Sequence, residues 1–173
     1  MSQHPDTQRG TGKTEQQHQF LTFTVGHEEY GVDIMTVREI KGWTEITRLP
    51  NSPHYLRGVM NLRGLIIPIF DLRARFSHDL TAANSKHVII ILAVGERNIG
   101  ILVDSVFDII DVQSSDIKPP PEIEMQAEAT AVNGLISLED RMVVLLNISR
   151  LFDVTIPHLE TSTPNETAGQ IQS

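Results

Sequence analysis

The chain repeats itself, and the repeat limits what it can fold into more than any other feature. Moved along by 69 residues, the stretch FLTFTVG from Phe20 to Gly26 falls on IIILAVG from Ile89 to Gly95. In the same frame Tyr30-Gly31 meets Ile99-Gly100, Val37 meets Val106, Ile40 meets Ile109 and Pro50 meets Pro119. A second block then aligns after an insertion of seven residues, Gly58 to Leu72 on Gly134 to Ile148 without a gap. Identities are few, but apolar, glycine and turn positions agree in order. Two unrelated β meanders can look alike; two blocks matching in the same order argue against that. Each unit of about 70 residues holds about five short strands, which suits a small barrel closed to hide its edges. So small a unit has a thin core, and packing two together adds buried apolar area and leaves a groove at the junction.

The strands are read from β-branched and aromatic runs bounded by turns. They are Phe20 to Val25, Tyr30 to Ile34, Ile66 to Leu72, Val88 to Val94, Ile99 to Val103 and Met142 to Ile148. Helix is expected only near Ile34 to Val37, at Ser52 to Leu56 and at Ile148 to Phe152. Residues 1–17 and 157–173 are polar, lack apolar periodicity and read as mostly disordered tails. The folded part is then 18–156, divided by the repeat at about 19–85 and 86–156, a split that leaves room for strands to exchange between the units.

Composition removes whole classes of function. Fourteen Lys and Arg against 22 Asp and Glu give a net charge of −8, with no basic run to form a nucleic-acid face. The absence of cysteine excludes disulfide scaffolds, thiol catalysis and cysteine metal sites. The longest apolar run, VIIILAV from Val88 to Val94, is far short of the ~20 residues of a membrane span. The N-terminus lacks the apolar core of a secretory signal, so the expectation is a cytoplasmic protein without direct membrane insertion.

Nor does a reacting constellation emerge. His4, His18, His27, His54, His78, His87 and His158 show no helical ligand spacing, and no metal or other cofactor is expected. Gly10-Thr-Gly-Lys-Thr14 is a faint match to a phosphate loop, but it has no preceding strand. The strongest enzyme rival is an aspartic protease, which pairs two β halves around two Asp carboxylates. Its Asp-Thr/Ser-Gly loops are missing: Asp104-Ser105 is followed by Val106, and Asp71 meets Asn147 in the repeat.

What remains suggests recognition. Asn61-Leu62-Arg63-Gly64 reads as a tight turn between strands, and the repeat places Glu139-Asp140 at the matching turn, so the two halves carry opposite charge there. Arg63 is either a forked donor in a groove or a solvated hairpin charge. Simple alternation puts Val37 and Glu39 on one face of a strand and Arg38 and Ile40 on the other; the first pair is either a contact patch or a half-buried strand with a wet edge. Lys118-Pro119-Pro120-Pro121-Glu122-Ile123 is a stiff exposed connector, with Ile123 an adhesive contact. Trp43 reads as packing.

Several of these stretches together resemble the CheW family of bacterial chemotaxis coupling proteins. They are FLTFTVGHEEYGVDI (Phe20 to Ile34), VREI (Val37 to Ile40), RGVMNLRGLIIPIFDLR (Arg57 to Arg73), GILVD (Gly100 to Asp104), IKP (Ile117 to Pro119) and RMVVLLNI (Arg141 to Ile148). The resemblance implies two SH3-like five-stranded β-barrels around a shared hydrophobic core. It implies a non-catalytic adaptor, monomeric alone, linking the cytoplasmic tip of methyl-accepting receptors to the regulatory domain of a CheA-type histidine kinase. The receptor's helical hairpin is expected in the groove between the barrels. Positions Val37, Glu39, Gly58, Arg63, Val88 and Ile109 are implied as receptor or kinase contacts, and Lys118 and Ile123 as a second kinase-facing surface that closes rings in receptor arrays. Ile109 and Ile123 stand where the family carries other apolar residues. The rival reading from another class is a peptide-binding β scaffold outside chemotaxis.

Overall fold

The computed structural model describes residues 15–77, 79–121 and 131–152. Within them the chain runs β1 (Gln17–Val25), β2 (Glu28–Asp33), β3 (Val37–Gly42), β4 (Leu56–Leu62), β5 (Leu65–Asp71) and α1 (Leu72–Ser77). It continues through β6 (Val88–Val94), β7 (Arg97–Val103), β8 (Ser105–Gln113), β9 (Ile117–Lys118), β10 (Val132–Ser137), β11 (Met142–Leu146) and α2 (Ile148–Leu151). The strands form two sheets, ordered β8-β1-β2-β11-β10-β9 and β3-β6-β7-β5-β4.

The repeat frame sends β1 to β6, β2 to β7, β3 to β8, β4 to β10 and β5 to β11. Applied to the second sheet it returns the first, strand for strand, with the two-residue β9 as an addition. Even the parallel pairs correspond, β5 with β7 and β11 with β2. Each sheet draws strands from both halves of the sequence. A 3-10 turn, Ile34–Thr36, leads the chain from one sheet into the other, with the Asp33 carboxylate accepting the Met35 N–H at 2.9 Å. Matched features recur: Asp71 caps α1 by accepting the Ala74 N–H at 3.2 Å, and Asn147 caps α2 by accepting the Arg150 N–H at 3.3 Å.

Three apolar clusters follow. Phe20, Ile110, Val112, Ile136, Val143 and Leu145 fill the first barrel. Met60, Ile67, Ile69, Ile89, Ile91 and Leu102 fill the second, with Trp43 packed against them. The largest lies between the sheets, with Leu21, Phe23, Phe70, Ile90, Leu92 and Phe152 among its buried members. Because strands alternate faces, one strand serves two clusters: Ile89 and Ile91 point into their own barrel, Ile90 and Leu92 into the shared core.

The structure corrects several expectations. Ser52 to Tyr55 is irregular chain and turn instead of helix, and Leu56 already opens β4. The helix α1 begins at Leu72, where the apolar run was read as continuing strand. β8 was not anticipated, because Ser105 to Gln113 mixes three acidic or amide side chains into its apolar pattern. Gln17, assigned to the N-terminal tail, is the first residue of β1, and the Gln16 carbonyl accepts the Ser114 N–H at 3.1 Å.

Candidate functional site

The turn that carries Arg63 is built by its neighbours. Leu62 pairs with Leu65, leaving a two-residue loop in which Arg63 has φ 52° and Gly64 φ 87°. Two positive φ values in succession match the twist of a right-handed hairpin. Asn61 holds the turn by accepting the Gly64 N–H on its side-chain oxygen at 2.8 Å. Arg63 is thereby held in a conformation uncommon for a branched or long side chain. From there its guanidinium reaches β3 and forks onto Glu39, 3.0 Å to Oε2 and 3.2 Å to Oε1. Lys41 lies 3.5 Å from the same carboxylate.

This fork spans the two edge strands of the second sheet, β3 and β4. Its side chain stays in solvent, 75% exposed for Arg63 against 26% for Glu39. The Glu39 carboxyl is held below its usual range, first by the hydrogen bond from Arg63; burial opposes this, and the charges of Arg63 and Lys41 add to the lowering. At its far end the same seam closes through Thr47 and Val59, which exchange backbone hydrogen bonds of 2.8 and 2.9 Å. Gly58 permits that closure: a Cβ there would stand 2.1 Å from the Thr47 carbonyl oxygen, and its φ is 144°. A shallow hollow lined by Glu39, Ile40, Lys41, Met60, Asn61 and Leu62 lies between the two ties.

Simple alternation fails at Arg38. The register passes from Val37 opposite Leu92 to Glu39 opposite Ile91, so Arg38 is a bulged residue. Directly opposed residues share a face. Val37 therefore turns to the shared core and Glu39 to the side of Ile91, and the expected common face of Val37 and Glu39 is absent.

The remaining positions divide. Val88 starts β6 opposite Gly42 and packs, half-buried, on the shared core. Ile109 lies on the other sheet, half exposed on β8, where the repeat frame makes it the counterpart of Ile40; the two are 50% and 47% exposed. Lys118 is exposed on β9 and donates to the Ser115 carbonyl at 3.1 Å. Ile123 lies outside the described residues. The structure thus brings Glu39, Arg63 and Gly58 onto one barrel seam and leaves Ile109 and Lys118 on the other barrel.

Exposed apolar side chains that no sequence motif marks stand beside these positions: Leu65 and Ile66 next to the Arg63 turn, and Phe107 next to Ile109 with the Arg141 guanidinium 4.4 Å above its ring. The signal was available in Leu65-Ile66 directly after a tight turn, where one of two successive strand residues must face outward. Among the described residues the buried carboxylate is Asp71, which accepts the Thr81 N–H and hydroxyl, both at 2.8 Å, with Arg57 at 3.6 Å, so it braces a loop. Among the described residues no group of three or more His, Asp or Glu could hold a metal. What the surface offers is charge, shape and apolar contact.

The CheW-like domain family model matches residues 19–155. The chain belongs to the CheW-like domain family. Chemotaxis protein CheW of Klebsiella aerogenes is 41% identical over 133 residues, covering 77% of this chain and 80% of the relative. Probable chemotaxis protein CheW of Rhizobium etli is 41% identical over 137 residues, 79% of this chain and 88% of the relative. The crystal structure of the scaffolding protein TtCheW of Thermoanaerobacter tengcongensis superposes with a TM-score of 0.73 at 31% identity, over 81% of this chain and 95% of that one. The two sheets are accordingly the two SH3-like barrels of a CheW-like domain, and the chain is a non-catalytic scaffold of the chemotaxis type. Among the described residues no helix is long and apolar enough to cross a membrane.

Proposed function

We propose that this protein couples methyl-accepting chemoreceptors to the regulatory domain of a CheA-type histidine kinase, and so supports receptor control of the kinase in signalling arrays. The observation that carries this reading is the Glu39–Arg63 fork, a bidentate ion pair held on a rigid barrel edge with the arginine largely in solvent. Such a pair adds little to folding stability, because exposed ion pairs contribute ~0–1 kcal/mol. A forked guanidinium beside exposed Ile40 is instead suited to recognition, offering directional donors next to apolar area. Ile109 on the other barrel supplies a second apolar contact, and Lys118 a separate charged surface for the kinase. An adaptor needs surfaces that can be occupied together. Interfaces of about micromolar affinity are worth roughly 8 kcal/mol each, and linkage in a lattice raises avidity without new contacts. Through its receptors the protein is recruited to the inner face of the membrane.

The test is co-sedimentation of the full chain with receptor-containing membranes, with and without the kinase. The native protein pellets with the receptors and brings the kinase down with it. The Arg63→Glu variant keeps its circular-dichroism spectrum and loses one or both partners. Normal engagement of both would remove Arg63 from the contact surface, and failure of the native chain to pellet would remove the coupling role.

A further inference from the structure

The last described residue, Phe152, lies beside a basic loop. It stacks on Phe70, and its ring centroid is 5.8 Å from that of Tyr55. Arg75 marks the same exit: its guanidinium stands 5.3 Å from the Tyr55 ring, and its Nε donates to the Leu151 carbonyl at 2.9 Å. Tyr55 in turn sits between His54 and Leu56, two lining residues of a pocket of about 220 Å³ in the loop that leads into β4. Arg48, Leu49, Ser52, Arg57 and Leu80 form most of the remaining wall. Leu49 and Leu80 are 42% and 46% exposed there, and none of the described residues that line the pocket is acidic. Arg57 is engaged within the fold, donating to the Thr81 carbonyl at 3.0 Å with the Asp71 carboxylate 3.6 Å away. The Arg48 side chain has no ion pair among the described residues.

We propose that this pocket receives the chain's own C-terminal segment, residues 153–160, with its carboxylates at Arg48 and its apolar side chains over Leu49 and Leu80. The segment reads DVTIPHLE and follows Phe152 directly. From 153 to 173 the chain carries Asp153, Glu160 and Glu166 and no Lys or Arg, so its charge is opposite to that of the pocket wall. Val154, Ile156 and Leu159 supply apolar area to set against the two exposed leucines. Reach is not limiting: eight residues extend to about 28 Å, and the segment starts where Phe152 meets Tyr55. A segment tethered so close to its site is presented at roughly millimolar concentration, so a modest contact holds it. The exposed charge pairs are weak and screened by salt, so the apolar contact carries a share of the docking. Glu39, Arg63, Ile109 and Lys118 take no part, which separates this contact from the coupling role.

The chain has no cysteine, so Thr161→Cys gives a single site for a nitroxide label just past the segment. In the 15N-labelled full chain the label is expected to erase the amide signals of Leu49, Ser52 and Leu80. Ser149, which lines a different hollow, keeps most of its intensity. Adding Arg48→Glu restores the erased signals, and so does the pair Asp153→Asn and Glu160→Gln, which leaves the described fold untouched. In a mixture of spin-labelled unenriched chain with unlabelled 15N chain, the pocket amides stay sharp. Equal loss at Ser149 and Leu49, the sweep of an undocked tail, would overturn the proposal, as would loss that persists when the two tail carboxylates are neutralised. Broadening in the mixture would also overturn it, by giving the pocket to the tail of a second copy.

Discussion

Glu39 and Arg63 are 24 positions apart and meet only because their strands form the two edges of one barrel. Their pairing holds the Glu39 carboxyl below its value in the unfolded chain. A carboxyl depressed in the folded state stabilises it above its unfolded value of about 4.3, and that contribution fades as pH falls through the lower folded value. In Arg63→Ala the Glu39 titration midpoint, followed by carboxyl carbon shifts, should move up toward the ordinary range. A midpoint that stays put would mean the fork is not populated in solution. Tyr30 is the opposite case. Burial, and secondarily the charge of Glu28, push its hydroxyl above its usual value. The stability this carries is complete below about pH 10 and is lost as pH rises through the raised value. Tyr30→Phe, which keeps the stack on Phe76 at 5.0 Å, should therefore flatten the alkaline limb of a denaturation profile.

At the scale of elements, closure of the second barrel rests on a backbone contact that tolerates no side chain. Gly58→Ala would force a methyl against the Thr47 carbonyl in a region of φ that L-residues avoid, so the Thr47–Val59 bridge must open. Gly100 offers a graded comparison. A Cβ there meets the tip of Ile69 at 2.5 Å, and a flexible side chain can give way. We expect Gly100→Ala to cost ~1–3 kcal/mol, the range for overpacking a core, and Gly58→Ala to cost more. Urea denaturation of the two variants measures the order, and a reversed order would show that the barrel seam is not a constraint. Gly31, the repeat counterpart of Gly100, meets Leu145 at 3.0 Å and should behave as a milder version of it.

The whole molecule is held by the cluster between the sheets, to which strands of both barrels contribute. Phe70 lies within it, stacked on Phe152 with centroids 4.5 Å apart. Phe70→Ala should cost about 3–5 kcal/mol and lower a single unfolding transition shared by both barrels. Two separated transitions would show that the barrels fold independently. The topology makes a further demand. Fragments cut between α1 and β6 each carry strands of both sheets and complete neither. Each should lack a cooperative β signal alone and regain it when the two are mixed, as circular dichroism can follow.

The sequence alone determined the elements that depend on local chemistry. The repeat marked which segments correspond, the apolar runs located most strands, and Asn61 to Gly64 announced its turn, because alternation, glycine and turn residues act over a few neighbours. The family resemblance likewise carried the barrel architecture, since its motifs lie in those same segments. Tertiary structure decided the rest. Nothing local specifies that β3 pairs with β6 and β5 with β7 across the midpoint of the chain, because partner choice depends on which assembly buries all three clusters. The bulge at Arg38 turned Val37 and Glu39 apart, and the fork from Arg63 to Glu39 joined two positions 24 residues apart. Such outcomes are set by contacts between residues far apart in sequence, where a single side-chain volume or a one-residue shift in register decides which surface reaches solvent.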